Sequence, residues 1–307
     1  MRVFVTGGTG AIGRPAVDAL IESGHDVTAL ARTAAKAGTL RAIGATPVEV
    51  SLFDRARLVE ALASHDAVVN LATALPRTHR FVSMRAWAEN NRIRSQGSRV
   101  VVDAAVAAQV RVMLQESVSM IYPDCGGEWI TEDTPPDRYP MAESNLMAEA
   151  STRRFTDEGG TGIVLRFGWF YGPGARHAEE FYRLAKYHVC IQMGAPDTYV
   201  SSIHVRDGGR AVASALGVPA GVYNVVDDEP LTKRDYANAL AQAADTTPWL
   251  RVPGRAARLL GHRTTSLTRS LRVSNQLFKA ASGWLPRFPS AHEGWRDAAN
   301  ELDAGER

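Results

Sequence analysis

The sequence predicts an α/β fold: a doubly wound parallel sheet with helices on both faces, followed by a smaller C-terminal lobe. Two observations predict it. Short β-type runs alternate with helical patterns through the first half of the chain, and such alternation specifies parallel strands joined by right-handed crossovers. The first run, Val3–Thr6, ends in glycines at 7, 10 and 13 and opens directly onto an amphipathic helix pattern of Ala16, Val17, Leu20 and Ile21. A length of 307 residues with 45% hydrophobic content is sufficient for one large α/β domain with an added lobe.

In order, the expected strands are Val3–Thr6, Val27–Ala31, Pro47–Val50, Ala67–Leu71, Val110–Gln115 and Ile163–Phe167. Each is short, mostly apolar and bounded by turn residues, the signature of strands buried on both faces. Helices are expected over 14–23, 34–43, 55–63, 84–108 and 141–158. The Pro-, Gly- and Asp-rich stretch 122–140 reads as a long loop just past a strand end, a place where binding residues concentrate. The second half carries shorter, mixed elements.

Composition excludes several classes of function. The net charge of +2 selects no polyanionic partner, and no basic stripe interleaved with aromatics points to nucleic acid. The two cysteines, Cys125 and Cys190, make neither a disulfide framework nor a metal-ligand spacing, so no metal is expected. No apolar run approaches the ~18 residues of a membrane span. A strand begins within two residues of the N-terminus, which leaves no room for a signal peptide. The expected location is the cytoplasm. The expected partners are a small-molecule substrate and, as an open option, a second copy of the chain in a homodimer.

The segment V-F-V-T-G-G-T-G-A-I-G (Val3–Gly13) carries the chemistry. A strand that ends in a glycine turn and opens a helix aims backbone N–H groups and the positive helix end at a diphosphate. Gly7 allows the tight turn, Gly10 lets a diphosphate come close, and Gly13 lets the helix pack on the strand. The spacing G-x-x-G-x-x-G resembles that of the extended short-chain dehydrogenase/reductase superfamily, the relatives of nucleotide-sugar epimerases and dehydratases. The resemblance runs nearly to the end of the chain, through N-L-A-T at 70–73, V-L-R-F-G-W-F-Y-G-P-G at 164–174 and S-L-R-V-S-N at 270–275. It implies a Rossmann-type, NADP-binding domain over residues 1–166. Residues 167–307 would form mainly a substrate-binding lobe, with 195–228 returning to the Rossmann core. Thr6, Gly7, Gly10, Ala11, Ile12, Gly13, Leu71, Ala72 and Phe170 are the expected cofactor contacts.

The second strand ends T-A-L-A-R-T-A-A-K, with Arg32 where an NAD binder would carry an acid and Lys36 one turn later. A guanidinium binds a 2′-phosphate through charge-assisted hydrogen bonds where a carboxylate would repel it, so NADP(H) is the expected cofactor. Asp54 resembles an adenine-side acid, although Ser51 replaces the first acid of that motif.

The catalytic segment departs from the pattern. The superfamily carries a Ser or Thr after the fifth strand and a Tyr-x-x-x-Lys pair. Here Q-E-S-V-S-M-I-Y offers Ser117 or Ser119, of which Ser117 is preferred, although alignment back from Tyr122 puts Val118 at the usual position. Tyr139 falls at the tyrosine position with Glu143 in place of the lysine, and the helix Asn becomes Arg94. Ser117, Tyr139 and Glu143 are the candidate catalytic groups. Glu143 would serve only if burial among Met141, Leu146 and Met147 raised its pKa; otherwise it is a solvated residue of a helix first turn. Arg272 is placed near the substrate, and His204 is read as a structural hydrogen-bonding residue. Trp87, Met120, Trp129, Trp169, Phe170 and Tyr171 would line an apolar pocket. The reading is an NADP-dependent oxidoreductase that reduces a carbonyl or enone of a small apolar substrate. A sugar-nucleotide epimerase or dehydratase with tightly held cofactor and a non-catalytic NADP sensor remain the alternatives.

Overall fold

In the computed structural model, which describes residues 1–192, 194–248, 250–252, 261 and 263–305, seven strands form one parallel sheet. They are β1 (Arg2–Thr6), β2 (Asp26–Leu30), β3 (Thr46–Val48), β4 (Ala67–Asn70), β5 (Val112–Val118), β6 (Thr161–Phe167) and β7 (Gly221–Val225). Their spatial order is β7-β6-β5-β4-β1-β2-β3. The direction reverses between β1 and β4, the switch point at which doubly wound sheets bind ligands beyond their carboxyl ends.

Helices α1 (Gly13–Glu22), α2 (Ala34–Ala42) and α3 (Arg55–Leu62) make the first crossovers. Their starts follow from side-chain caps: Thr33 Oγ1 accepts from the Lys36 N–H, and Asp54 Oδ1 from the Arg57 N–H at 3.1 Å. Helix α1 buries Ala16, Val17 and Leu20 against one sheet face. On the other face Leu58, Leu62, Val101, Val102 and Phe155 close a second core with Phe4, Val68 and Met113.

The helix expected over 84–108 is segmented. A 3-10 turn, Met84–Trp87, leads into α4, which runs Ala88–Arg92 as α-helix, Ile93–Gly97 as a π-turn and Ser98–Ala107 as α-helix again. Such π-turns inside helices recur at functional sites. Helix α5 is Glu143–Asp157, and the longer helices that follow it are α6 (Arg176–Lys186), α7 (Val205–Ala215), α8 (Lys233–Ala243), α9 (Gln276–Ser282) and α10 (Ala291–Gly305). Outside the sheet, α6, α8 and α10 pack around the fully buried Trp295 and Tyr182. No helix among the described residues is long and apolar enough to cross a membrane.

The fifth strand corrects the expected boundaries. It runs Val112–Val118 and not Val110–Gln115. Polar Gln115, Glu116 and Ser117 read as a strand end, yet all three are buried, and each has a hydrogen-bonding partner inside the molecule. This register determines which side chains reach the site.

Candidate functional site

The glycine loop is built as a cradle. Gly7 has φ +72°, and a Cβ there would lie 2.4 Å from the Leu71 carbonyl oxygen, so only glycine fits. A Cβ on Gly13 would lie 2.0 Å from the Gly7 oxygen. Gly10 differs: it is exposed, its N–H donates to the Gly7 oxygen at 2.9 Å, and a Cβ would meet only that oxygen at 3.2 Å. Its Cα therefore faces open space beside the N-terminus of α1. No side chain caps α1, because Ile12 occupies the cap position; the Arg14 N–H donates to the Gly10 oxygen at 3.2 Å and Pro15 carries none, so in the first turn the Gly13 N–H is left for a ligand. These features fit a diphosphate.

The other expected cofactor contacts divide by side-chain direction. Thr6 is buried, and its hydroxyl donates to Asn70 Oδ1 at 2.5 Å. Asn70 in turn donates to Gln115 Oε1 at 2.8 Å and Ser98 Oγ at 3.2 Å. This network fixes the ends of β1, β4 and β5, so Thr6 supports the loop from inside. Ile12 and Leu71 are buried and offer backbone only, whereas Ala11 and Ala72 are half-buried. Arg32, just past β2, is exposed and takes no side-chain partner among the described residues; Lys36 lies one turn on. Asp54 spends one carboxylate oxygen on capping α3.

Beyond the carboxyl ends of β4, β5 and β6 lies a cavity of about 100 Å³, partly open to solvent. Its apolar wall includes Phe81, Trp87, Val118, Met120, Trp169 and Phe170. Phe170 joins it to the glycine loop, because Phe170 and Ile12 crowd the same face of Gly208. A second cavity adjoins it, sharing Met120, Trp169, Ser266 and Leu267 and adding Gln192, Lys233 and Arg269.

The three candidate catalytic residues do not converge. Tyr139 lines the main cavity, with its Oη donating to the Met120 carbonyl at 2.8 Å. Burial pushes its pKa up to about 12, against the opposing pull of the Arg269 guanidinium, which sits 4.6 Å from its ring centre. Glu143 lines no described cavity. Its side chain is 49% exposed and pairs loosely with Arg138 at 4.0 Å, which is the solvated reading of this residue. Ser117 is fully buried on the opposite face of β5, where it donates to Glu149 Oε1 at 2.5 Å. Glu149 also accepts two bonds from Arg166, at 2.9 and 2.7 Å, and Arg166 donates to Tyr122 Oη at 2.8 Å. The expectation that Ser117 holds a substrate carbonyl is thus corrected. Strand alternation turns Val118 toward the cavity and Ser117 away from it.

Several cavity groups were not among the expected site residues. Arg94, in the π-turn of α4, binds Glu116 Oε1 at 2.9 Å and the Glu116 carbonyl at 3.1 Å, and both side chains are buried in the cavity wall. Asn145 lies one turn after Met141, and both line the cavity while Glu143 points out. His177 stacks edge-on against Trp169, with centroids 4.6 Å apart, and its Nε2 lies 2.8 Å from the Phe170 oxygen. Burial lowers its pKa.

Other expected site residues fall elsewhere. Arg272 stacks over Trp129 at 4.3 Å and Tyr199 at 5.0 Å and lines neither cavity. Trp129 is 49% exposed and Tyr171 is fully buried against Trp295, so neither forms the pocket wall. His204 caps α7, accepting the Arg206 N–H, and burial lowers its pKa to about 3.

Residues 3–225 match the NAD dependent epimerase/dehydratase family. The chain belongs to this family. Among its curated relatives, a Streptomyces protein named 3-diazoavenalumate denitrifying reductase is 33% identical, over 97% of this chain and 98% of its own. A Stigmatella aurantiaca ketoreductase, named for a farnesyl-bearing dihydroquinoline-1-oxide, is 28% identical over 88% of this chain and 82% of its own. The fold is that of solved family structures. The Thermus thermophilus UDP-glucose 4-epimerase, in complex with NAD, superposes with a TM-score of 0.80 over 99% of each chain at 24% identity. A human epimerase family protein with NADPH gives 0.80 at 20% identity, over 98% of this chain and 99% of that one.

Proposed function

We propose that the chain is an NADPH-dependent reductase of small, largely apolar organic molecules. As a member of this family with reductase-named relatives, it is an oxidoreductase. The finer reading rests on one observation above the others: the cavity next to the glycine cradle is walled by aromatic and aliphatic side chains, and its two charged residues, Arg94 and Glu116, neutralise each other. Such a wall favours an apolar acceptor over a sugar diphosphate. The relatives named for a diazo compound and for a farnesyl-bearing dihydroquinoline are consistent with it.

A nicotinamide held at this site would supply a hydride. The cradle residues Gly7, Gly10 and Gly13 and the start of α1 would hold its diphosphate, and the free guanidinium of Arg32 would select the 2′-phosphate. Val118 and Phe170 would pack beside the acceptor and keep water out. With its pKa near 12, the Tyr139 phenol keeps its proton at neutral pH. It can release that proton to an oxygen that gains charge, but it is not a preformed tyrosinate. Carbonyl or enone reduction would use this proton. An acceptor that needs only a hydride would not.

The test is NADPH consumption with a panel of apolar aldehydes, ketones and enones. Turnover with several of them, at least tenfold better with NADPH than NADH, supports the reading. Tight retention of oxidised cofactor together with epimerisation of a sugar nucleotide, or cofactor binding without any turnover, contradicts it.

A further inference from the structure

The main cavity is unevenly matched in its polar groups. Most of those that line it already have protein partners: Tyr139 Oη bonds the Met120 carbonyl, Asn90 Oδ1 the Ala74 N–H, His177 Nε2 the Phe170 carbonyl, and Arg94 bonds Glu116 twice. Two fully buried atoms are left over. Glu116 Oε2 and Asn145 Oδ1 are buried without a hydrogen-bond partner, on residues only 5% and 6% exposed. One comes from β5 and the other from α5, and both residues face the same cavity.

Both orphans are oxygens: one belongs to the Glu116 carboxyl, which Arg94 holds on its other side against the upward push of burial on its pKa, and the other is an amide oxygen whose own NH2 already donates to the Met141 carbonyl at 3.1 Å. A buried acceptor without a partner is costly and calls for an explanation, such as a ligand donor. Trp87, Trp169 and Phe170 line the same cavity, and aromatic walls suit a flat ring.

We infer that the substrate is an aromatic compound bearing a hydroxyl or amino donor, and that Glu116 Oε2 and Asn145 Oδ1 receive that donor. This inference rests on the reductase reading and deepens it by naming the substrate class. The two oxygens act as specificity determinants. They orient the ring so that its reducible group faces the cradle side, and they disfavour rings that leave them unmatched. A site built to receive a donor discriminates strongly against the same shape without it.

The experiment compares two ketones of matched shape, 4-(4-hydroxyphenyl)butan-2-one and 4-(4-methylphenyl)butan-2-one, in binding and in reduction by the NADPH-loaded protein. The inference expects the hydroxy ligand to bind at least tenfold more tightly. In Asn145→Leu the ratio should fall to threefold or less, with the gain of the methyl ligand accounting for part of the change. Glu116→Gln, if folded by circular dichroism, should narrow the ratio as well; if it does not fold, Asn145→Leu alone decides. Equal affinity of the two ligands in the parent protein, or a ratio unchanged in Asn145→Leu, overturns the inference. Reduction of both ketones without preference leaves the reductase reading standing and removes this inference alone, whereas no reduction of any acceptor removes the reading beneath it.

Discussion

Ser117 donates to Glu149 Oε1 at 2.5 Å on the face of β5 turned away from the cavity, and the same carboxylate holds Arg166 by two bonds. The serine near the end of β5 therefore belongs to a structural network. Ser117→Ala is expected to lower stability by about 1–3 kcal/mol, as loss of a buried hydrogen bond to a charged group does, with kcat changed by less than threefold. Glu149→Ala leaves Arg166 buried without its partner and should cost about 3–5 kcal/mol. Thermal and denaturant unfolding measure both.

Tyr139 and Glu143 should separate cleanly. Tyr139→Phe is expected to lower kcat for ketones on the order of 10²-fold, whereas Glu143→Gln, at an exposed site, should leave kcat and KM within twofold. A reversed ranking would restore the glutamate as the acid. The pH dependence follows from the burial of Tyr139. Its folded pKa near 12 lies above the unfolded value near 10, so its contribution to stability is complete below pH 10 and is lost as pH rises toward 12. A kcat profile that shows no titration of this phenol between pH 6 and 9 is the expected result.

His204 should stay neutral in the folded protein down to about pH 3. Because its folded pKa lies below the unfolded one, near 6.5, its contribution to stability is present above pH 6.5 and is lost as pH falls toward 3. An NMR titration of its ring protons checks this directly, and a midpoint near 6.5 would contradict the buried environment.

The cradle and the nucleotide selectivity are tested together. Gly10→Val should fold with a modest loss of stability, because a Cβ there meets only the Gly7 oxygen, at a tight 3.2 Å, yet lose dinucleotide binding in calorimetry. Gly13→Val should fail to fold, because its Cβ would overlap the Gly7 backbone. Arg32→Asp should reduce the preference for NADPH over NADH about tenfold or more, since a charged hydrogen bond contributes roughly 1.5–3 kcal/mol. Equal weakening with both cofactors would mean that Arg32 does not read the 2′-phosphate.

The sheet and the glycine loop were legible because both follow local rules: apolar runs of strand length, and glycines where a Cβ would strike backbone. The boundaries of β5 were misjudged for a physical reason. Gln115, Glu116 and Ser117 look like a strand end, and only tertiary partners on β4, α4 and α5 — Asn70, Arg94 and Glu149 — make them interior. The resulting shift of register exchanged Ser117 for Val118 at the cavity. A similar effect misplaced the acid. Tyr139 and Glu143 are four residues apart, but Tyr139 precedes the helix, which starts at Glu143. They therefore do not share a helix face: Tyr139 lines the cavity with Met141 and Asn145, and Glu143 points out. One signal for Asn145 was available in the sequence: a lone amide between Met141, Leu146 and Met147, in a segment expected to face the site.

The central claim is that the cradle and the apolar cavity serve a hydride transfer that leaves the reduced acceptor as product. The most direct measurement uses NADPH deuterated on each nicotinamide face in turn, an apolar ketone reduced by the protein, and mass spectrometry of the alcohol. The account predicts one deuterium in the product from one face only, with NADP+ released in equal amount. Product free of deuterium from either face, or cofactor that stays bound with no net change in its redox state, would contradict it.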